Sequence, residues 1–438
     1  MRRMPNDAGA AGIPSTLPPR PDGLVLAPFR ALRYAATGAE LADVLAPPYD
    51  VIDEAQRAEL EGRHPVNVVR LTLPRDPDGA GDRYAAAGRR LREWCDTGVL
   101  RPDPVPALYV YEEQHGGHVQ RGLVGALGLT PAEDGIVLPH ENTMAGPVAD
   151  RLSLMEAVEA DLEPIFLVYD GGGAASRHVA EADRREPIID VTTDDGIRHR
   201  VWAITEAAAL AEVATDLRGR RAVIADGHHR YATFLRYQAD RHAEGRGTGP
   251  WDLGLALLVD GSAFGPQVHA IHRVVPGLSA ADAAARAAAG FRVQQLSGDS
   301  AEALDDLAKA GVDGPAFVLA DGDQAWLLTQ PDRTQLDAAL PAERSAAWRS
   351  LDVTVAHLFL IRQLWQLEDR EDIVDFKHDV PAAIDAARHA GGVALLLNPT
   401  PVSDVAAVAA AGDRMPRKST LFVPKPATGL LIRAFADA

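Results

Sequence analysis

The chain has 438 residues, 47% of them hydrophobic and 24% charged, with a formal net charge of −18 and one cysteine. That length exceeds a single ordinary core and predicts two domains or three. The acidity argues against a nucleic-acid partner, because such binding draws most of its affinity from Lys and Arg set against phosphates. A lone Cys95 forms no intramolecular disulfide and supplies no cysteine cluster for zinc.

Residues 1–22, rich in Pro, Gly and Ala and without the apolar core of a signal peptide, read as a disordered tail. No segment approaches the roughly 20 apolar residues that span a bilayer, so a cytoplasmic chain with no membrane partner is expected. A strand is predicted at Leu24–Phe29. Pro47-Pro48 then fix an extended backbone that presents Tyr49 and Asp50 rigidly. The run 67–73 reads as a strand, and 82–97 as a helix stopped by Gly98, with Cys95 a buried structural thiol near its end. Residues 107–113 and 121–129 form the strands of a hairpin around His115-Gly116-Gly117-His118.

The loop His140-Glu141-Asn142-Thr143 follows, then a helix at 148–161, a strand at 165–169, and a helix at 206–218 with Thr205 as N-cap. A short strand, 221–225, runs through the turn Asp226-Gly227 into a helix from His228 to about Ala243, and 253–259 is another buried strand. Beyond residue 261, Ala-rich helices alternate with strands such as 316–319 and 393–397. The pattern predicts an α/β (α+β) protein: a mixed sheet with helices over 23–260, and a C-terminal α+β domain over 261–438 that contributes a basic segment.

Chemistry concentrates at Asp226-Gly227-His228-His229-Arg230. A strand ending in glycine and feeding directly into a helix lets a ligand approach the backbone, and places it where free N–H groups and the helix dipole favour anions. Arg230 offers a forked donor suited to phosphate, His228 and His229 offer further donors, and Asp226 suits a base or a magnesium ligand. The bland alternative is a tight turn with Asp226 as N-cap.

The loop supplies Glu141 as a general base, with His140, Asn142 and Thr143 to orient a substrate; the competing reading is that Asn142 or Thr143 simply caps a helix. Arg417, Lys418, Ser419, Thr420 and Lys425 lie in a C-terminal stretch without acids, which fits an anion site or a solvated face. Gly171-Gly172-Gly173 matches neither a dinucleotide fingerprint nor a P-loop, so any nucleotide is held by another design.

Pro47-Pro48-Tyr49-Asp50-Val51-Ile52, His140-Glu141-Asn142-Thr143 with Asp150-Arg151, Asp226-Gly227-His228-His229-Arg230-Tyr231 and Met415-Pro416-Arg417-Lys418-Ser419-Thr420 occur in this order. Together they resemble an uncharacterised bacterial family, the domain of unknown function numbered ten-fifteen and often labelled ParB-like, over about 24–435. The Asp-Gly-His-His-Arg box is also similar, locally, to that of free-serine kinases in the ParB/sulfiredoxin superfamily.

The resemblance implies a ParB/sulfiredoxin-like nucleotide-binding catalytic domain at 23–260. In it Asp226, His228, His229 and Arg230 hold phosphates and Mg²⁺ around the backbone of Gly227. The catalytic carboxylate of those kinases has no matching segment here, which leaves Glu141 and Asp50 both open, with Tyr49 beside the latter. The implied activity is phosphoryl transfer from ATP or ADP to a small hydroxyl compound, L-serine first, with a homodimer as the assembly to test for. A CTP-binding regulatory module, and a metal-dependent hydrolase using His140, His228 and His229, are the alternatives.

Overall fold

A strand that is apolar at every position has to be covered on both faces. Ile165–Tyr169 is buried throughout and lies inside a mixed sheet that meets this demand. The computed structural model describes residues 21–76, 81–297, 299–368, 370 and 373–437, so the tail expected at 1–22 falls almost wholly outside the described residues. The sheet runs in the order Val137–Leu138, Ala222–Asp226, Ile165–Tyr169, Leu253–Asp260, His118–Gly128, Leu108–His115, Arg198–Ile204 and Ile189–Thr192. Leu26–Ala27 also pairs with His118–Gly128. The first and second of these strands are parallel, as are the third and fourth, while the remaining neighbours are antiparallel.

Alternation along each strand divides the core into two layers. Ile165, Leu167, Ile224 and Leu258 face one side, where they pack with Val213 and Leu217 of helix Ala207–Leu217 and with Tyr231 and Phe234 of helix His228–Ala243. Phe166, Val168, Val223 and Leu257 face the other side, in a cluster that continues into Phe317, Leu319 and Leu395 of a second sheet. That sheet is antiparallel throughout, in the order Arg292–Leu296, Ala325–Thr329, Phe317–Ala320, Val393–Leu397, His272–Val275 and Asp375–Lys377. The α/β class with a large mixed sheet and a further sheet is therefore as expected.

The chain then returns from the second sheet to the first. Leu421–Val423 pairs with Gln267–His269, Thr428 bridges to Ala46, Ile432 to Leu32, and Arg433–Ala434 pairs with Ala160–Asp161. We call residues 414–434 the belt. Its end is fastened by Arg433, which is 0% exposed and donates to Asp161 Oδ2 at 2.8 Å, Pro250 O at 2.7 Å and Leu253 O at 3.1 Å.

Several local expectations change. Residues 67–73 are not a strand: the buried Asn67 amide donates to Asp43 O and Leu45 O and accepts from Val69 N, starting the short helix Val69–Thr72. The first strand shrinks to Leu26–Ala27 because Pro28 has no N–H to give a ladder. The helix placed at 148–161 is Ala145–Val158; Pro147 lies in its first turn, where the missing N–H is harmless, and Glu159 ends it with φ 49°. Thr205 does not cap helix Ala207–Leu217, whose N-cap is Glu206. The hairpin holds, with Gly116 and Gly117 both at positive φ as a two-residue turn requires. No helix among the described residues is long and apolar enough to cross a membrane.

Removing one member of a buried ion pair strands the other. Arg433→Met should therefore cost about 3–5 kcal/mol in urea denaturation. Adding Asp161→Asn to it should restore part of the loss.

Candidate active site

Strand Ala222–Asp226 shifts register against Ile165–Tyr169 between Ile224 and Asp226, a break in the ladder immediately before the turn. Gly227 follows at φ 93°. The dihedral favours glycine, and a Cβ there would lie 3.1 Å from Arg230 Nε and 3.2 Å from Ile165 Cγ2, so any larger residue would also have to push these side chains aside. Helix His228–Ala243 starts at once, and no side chain caps its first turn. Its leading N–H groups are thus left for a ligand.

Charges gather around this turn. Arg230 is buried and donates through Nη2 to Asp226 Oδ2 at 2.5 Å and through Nη1 to Pro164 O. Lys425, carried in by the belt, donates to Asp226 Oδ1 at 2.6 Å. Both oxygens of Asp226 are therefore engaged. Asp50 lies 3.9 Å from Arg230 and 3.7 Å from Lys425, close enough for attraction but beyond hydrogen-bond length. Glu163 is buried beneath, accepting from Tyr49 N at 2.9 Å and Thr428 Oγ1 at 3.1 Å, and burial pushes its carboxyl upward. Burial works against the Arg230 charge, but the carboxylates of Asp226, Glu163 and Asp50 outweigh it and raise its pKa.

The histidines hold a loop. His228 Nε2 accepts from the backbone N–H of His140 at 3.2 Å, and His229 Nε2 accepts from Met144 N at 3.1 Å. His140 packs edge-on against the His228 ring, and its Nε2 lies 3.1 Å from Thr420 Oγ1. The belt adds Met415 N to His140 O at 2.7 Å. Residues 140–144 are thus pinned by the helix and by the belt. Accepting at Nε2 puts the proton of neutral His228 on Nδ1, which lies 3.7 Å from Glu141 Oε2.

Glu141 is held facing the cluster. Burial, then the negative charges of Asp226 and Asp50, raise its pKa, while Lys425 and Lys418 pull the other way. Burial drives His140 down to about 4 and His228 well below its ordinary value, so both are neutral near pH 7.

The structure thus brings together Asp50, Glu141, His140, Asp226, Gly227, His228, His229, Arg230, Thr420 and Lys425. Tyr49 joins them through its backbone N–H to Glu163, its ring covered by the Arg151 guanidinium at 4.2 Å. Lys418 acts on Glu141 and holds an uncommon φ of 54°, with its carbonyl tied to Arg273 Nη2 at 2.9 Å. Asn142 and Thr143 are exposed, Arg417 lies over the Phe376 ring, and the Ser419 hydroxyl donates to Pro416 O inside its own turn. Sequence reasoning misses Glu163, a lone acid ahead of a wholly apolar strand. It also misses His378, which comes from the second sheet's end and feels both Lys418 and Lys425.

A family model described as "Protein of unknown function (DUF1015)" matches residues 26–354. No curated protein matches the chain. Among solved structures, SbnI with a C-terminal truncation from Staphylococcus aureus aligns at 9% identity over 71% of this chain and 87% of that one, with a TM-score of 0.34. A free serine kinase in complex with AMP aligns at 13% identity over 66% and 84%, TM-score 0.32. A conserved hypothetical protein from Pyrococcus furiosus aligns at 14% over 66% and 88%, TM-score 0.30.

Two outcomes follow from the charges. Arg230→Met removes the guanidinium between Asp226 and Glu163, leaving Lys425 on one oxygen of Asp226, and should lower stability by about 3–5 kcal/mol, read by calorimetry and denaturant titration. Both buried histidines bind a proton near pH 6.5 when unfolded, whereas folded His140 does so only at about 4 and folded His228 well below its ordinary value, so the unfolded chain takes up more protons in that window. Their contribution to stability is complete above pH 6.5 and is lost as the pH falls from there towards 4. Each steepens that decline by up to about 1.4 kcal/mol per pH unit. His228→Asn should flatten the slope in a pH series of melting curves.

Proposed function

The chain belongs to this family of proteins of unknown function, matched over residues 26–354, and from that premise we propose a nucleotide-dependent phosphotransferase that acts on a small hydroxyl compound, with L-serine the first acceptor to try. One observation carries the reading. An uncapped helix N-terminus, Arg230 and Lys425 converge on one turn, and two further carboxylates, Asp50 and Glu141, face the same space. Phosphoryl transfer needs held phosphates, a charge-neutralising surround and a base, and little else from the protein.

In this reading the terminal phosphate of ATP or ADP lies at the amides of Gly227, His228 and His229, with Arg230 a fixed positive charge behind them. Lys425 leaves Asp226 for a phosphate oxygen, and Lys418, Arg417, Ser419 and Thr420 line the belt's approach to the site. The acceptor hydroxyl oxygen bonds to phosphorus as the bond to the bridging oxygen breaks. Glu141 takes the hydroxyl proton, a role that its raised pKa suits better than the doubly ion-paired Asp226. Tyr49, His140, Asn142 and Thr143 orient the acceptor directly or by fixing the loop.

Mg²⁺ fits as an ion brought by the nucleotide. It is usually held by one or two carboxylates with phosphate oxygens and water, and Asp50, Glu141 and, once Lys425 has moved, Asp226 are the residues that would hold it. Bound there it would neutralise charge on the transferring group. A metal hydrolase built on His140, His228 and His229 fits less well, because their Nε2 atoms are already used by Thr420, His140 N and Met144 N. A CTP-type regulatory module would bind nucleotide without transfer.

Incubation with L-serine, Mg²⁺ and either ATP or ADP should give the phosphomonoester signal of phosphoserine in ³¹P NMR. Its absence with every common nucleotide would overturn the kinase reading. Lys425→Met should lower kcat/KM by roughly 10²–10³-fold, the loss seen when a charge-stabilising group is removed. Glu141→Gln should cost roughly 10²–10⁴-fold. A base must be deprotonated, so the wild-type rate should fall as pH drops through the raised Glu141 value, with a midpoint above that of an unperturbed glutamate.

A further inference from the structure

The rim of the candidate site is not uniform. Its cations, Lys418 and Lys425, come from the belt, and the end of the second sheet adds the His378 ring beside them, its pKa lowered by burial and by these lysines. A different pair of elements supplies apolar side chains that face water. Val51, at the end of the short turn Tyr49–Val51, is 44% exposed, and Met144, immediately before helix Ala145–Val158, is 64% exposed.

Few large apolar side chains among the described residues are left this open, and the segments that carry these two both act on His229. Met144 donates its backbone N–H to His229 Nε2, and Asp50, next to Val51, acts electrostatically on the His229 ring. Neither side chain is needed where it stands to fill a core. The neighbouring aromatic, Tyr49, is unavailable on one face because Arg151 covers it.

A nucleotide has the same division. Its phosphates are strongly anionic and its base is a flat, largely apolar ring system. Phosphates drawn to the helix N-terminus and to Lys425 leave the base to the part of the rim away from the belt's lysines, where the one guanidinium described above, that of Arg151, is already taken by Asp150 and the Tyr49 ring. We infer that Val51 and Met144, beside the His229 ring, form the platform on which the nucleotide base packs. The inference rests on the nucleotide reading above and adds the orientation of the ligand. The base lies towards the Tyr49–Val51 turn and the start of helix Ala145–Val158, and the phosphates towards the belt. Two aliphatic side chains grip any flat ring and read no hydrogen-bonding edge, so the platform favours nucleotides over bare phosphates while discriminating weakly among bases.

Calorimetric titration of the full chain with ATP, CTP and inorganic tripolyphosphate, each with Mg²⁺, tests this. Wild type should bind both nucleotides at least about tenfold more tightly than tripolyphosphate. The double variant Val51→Ser/Met144→Ser keeps the Met144 N–H, and should lose that margin while its affinity for tripolyphosphate is unchanged. With methyl-labelled methionine, the Met144 signal should shift on adding ATP and stay in place with tripolyphosphate.

Equal loss of all three ligands in the double variant, or nucleotide binding that it leaves intact, would overturn the platform. So would a change of oligomeric state in sedimentation in place of a change in affinity, since the patch would then join copies of the chain. Wild type that binds tripolyphosphate as tightly as ATP would remove the platform and leave the phosphate cradle standing. Wild type that binds none of the three would remove both.

Discussion

Burying a guanidinium is the constraint from which the site follows. A cation taken out of water costs several kcal/mol unless carboxylates replace the solvent, and Arg230, in the first turn of helix His228–Ala243, is only 5% exposed. Asp226, Glu163 and Asp50 surround it. Three carboxylates around one arginine overshoot, and Lys425 reduces the excess by bonding to Asp226 from 199 residues away. The belt is therefore part of the electrostatics of the core as well as its covering. Glu163 makes the same point from below, joining the Tyr49 backbone, the belt's Thr428 and the charge of Arg230 in one buried node.

The paired histidines show how chemically suggestive residues can act as fixings. Their rings stay neutral and accept hydrogen bonds from the amides of residues 140 and 144, holding Glu141 at the cluster. This division of labour suits an acidic chain. A net charge of −18 repels anions at a distance, and the lysines of the belt, together with the leading amides of helix His228–Ala243, are where that field is locally opposed.

Much of the fold was legible because strong local patterns agreed with tertiary demands. Ile165–Tyr169 reads as a buried strand from its unbroken apolar run, the hairpin from its two glycines, and the site from a strand meeting a helix at Asp-Gly. Failures came where a single side chain overrode its surroundings. Asn67 turned a β-branched run into a helix, and Pro28 cut a strand short. Site residues in the box and the loop were visible as unusual clusters. Glu163 was not, since one acid beside an apolar strand has no periodicity, and the partnership of Lys425 with Asp226 depends on a return path that no local pattern encodes.

That return path also sets an order of events. The strand, the turn and helix His228–Ala243 are contiguous, so Asp226 and Arg230, four residues apart, meet early and locally. The last cation of the cluster is synthesised long afterwards and must cross from the second sheet to reach them. Contacts of such sequence separation form slowly, because the intervening loop has to close first. Until they do, the carboxylates outnumber their partners and the loop bearing Glu141 lacks its ties to Met415 and Thr420. A nascent or incomplete chain thus carries a recognisable turn without the charges that complete it, and the full cluster assembles late.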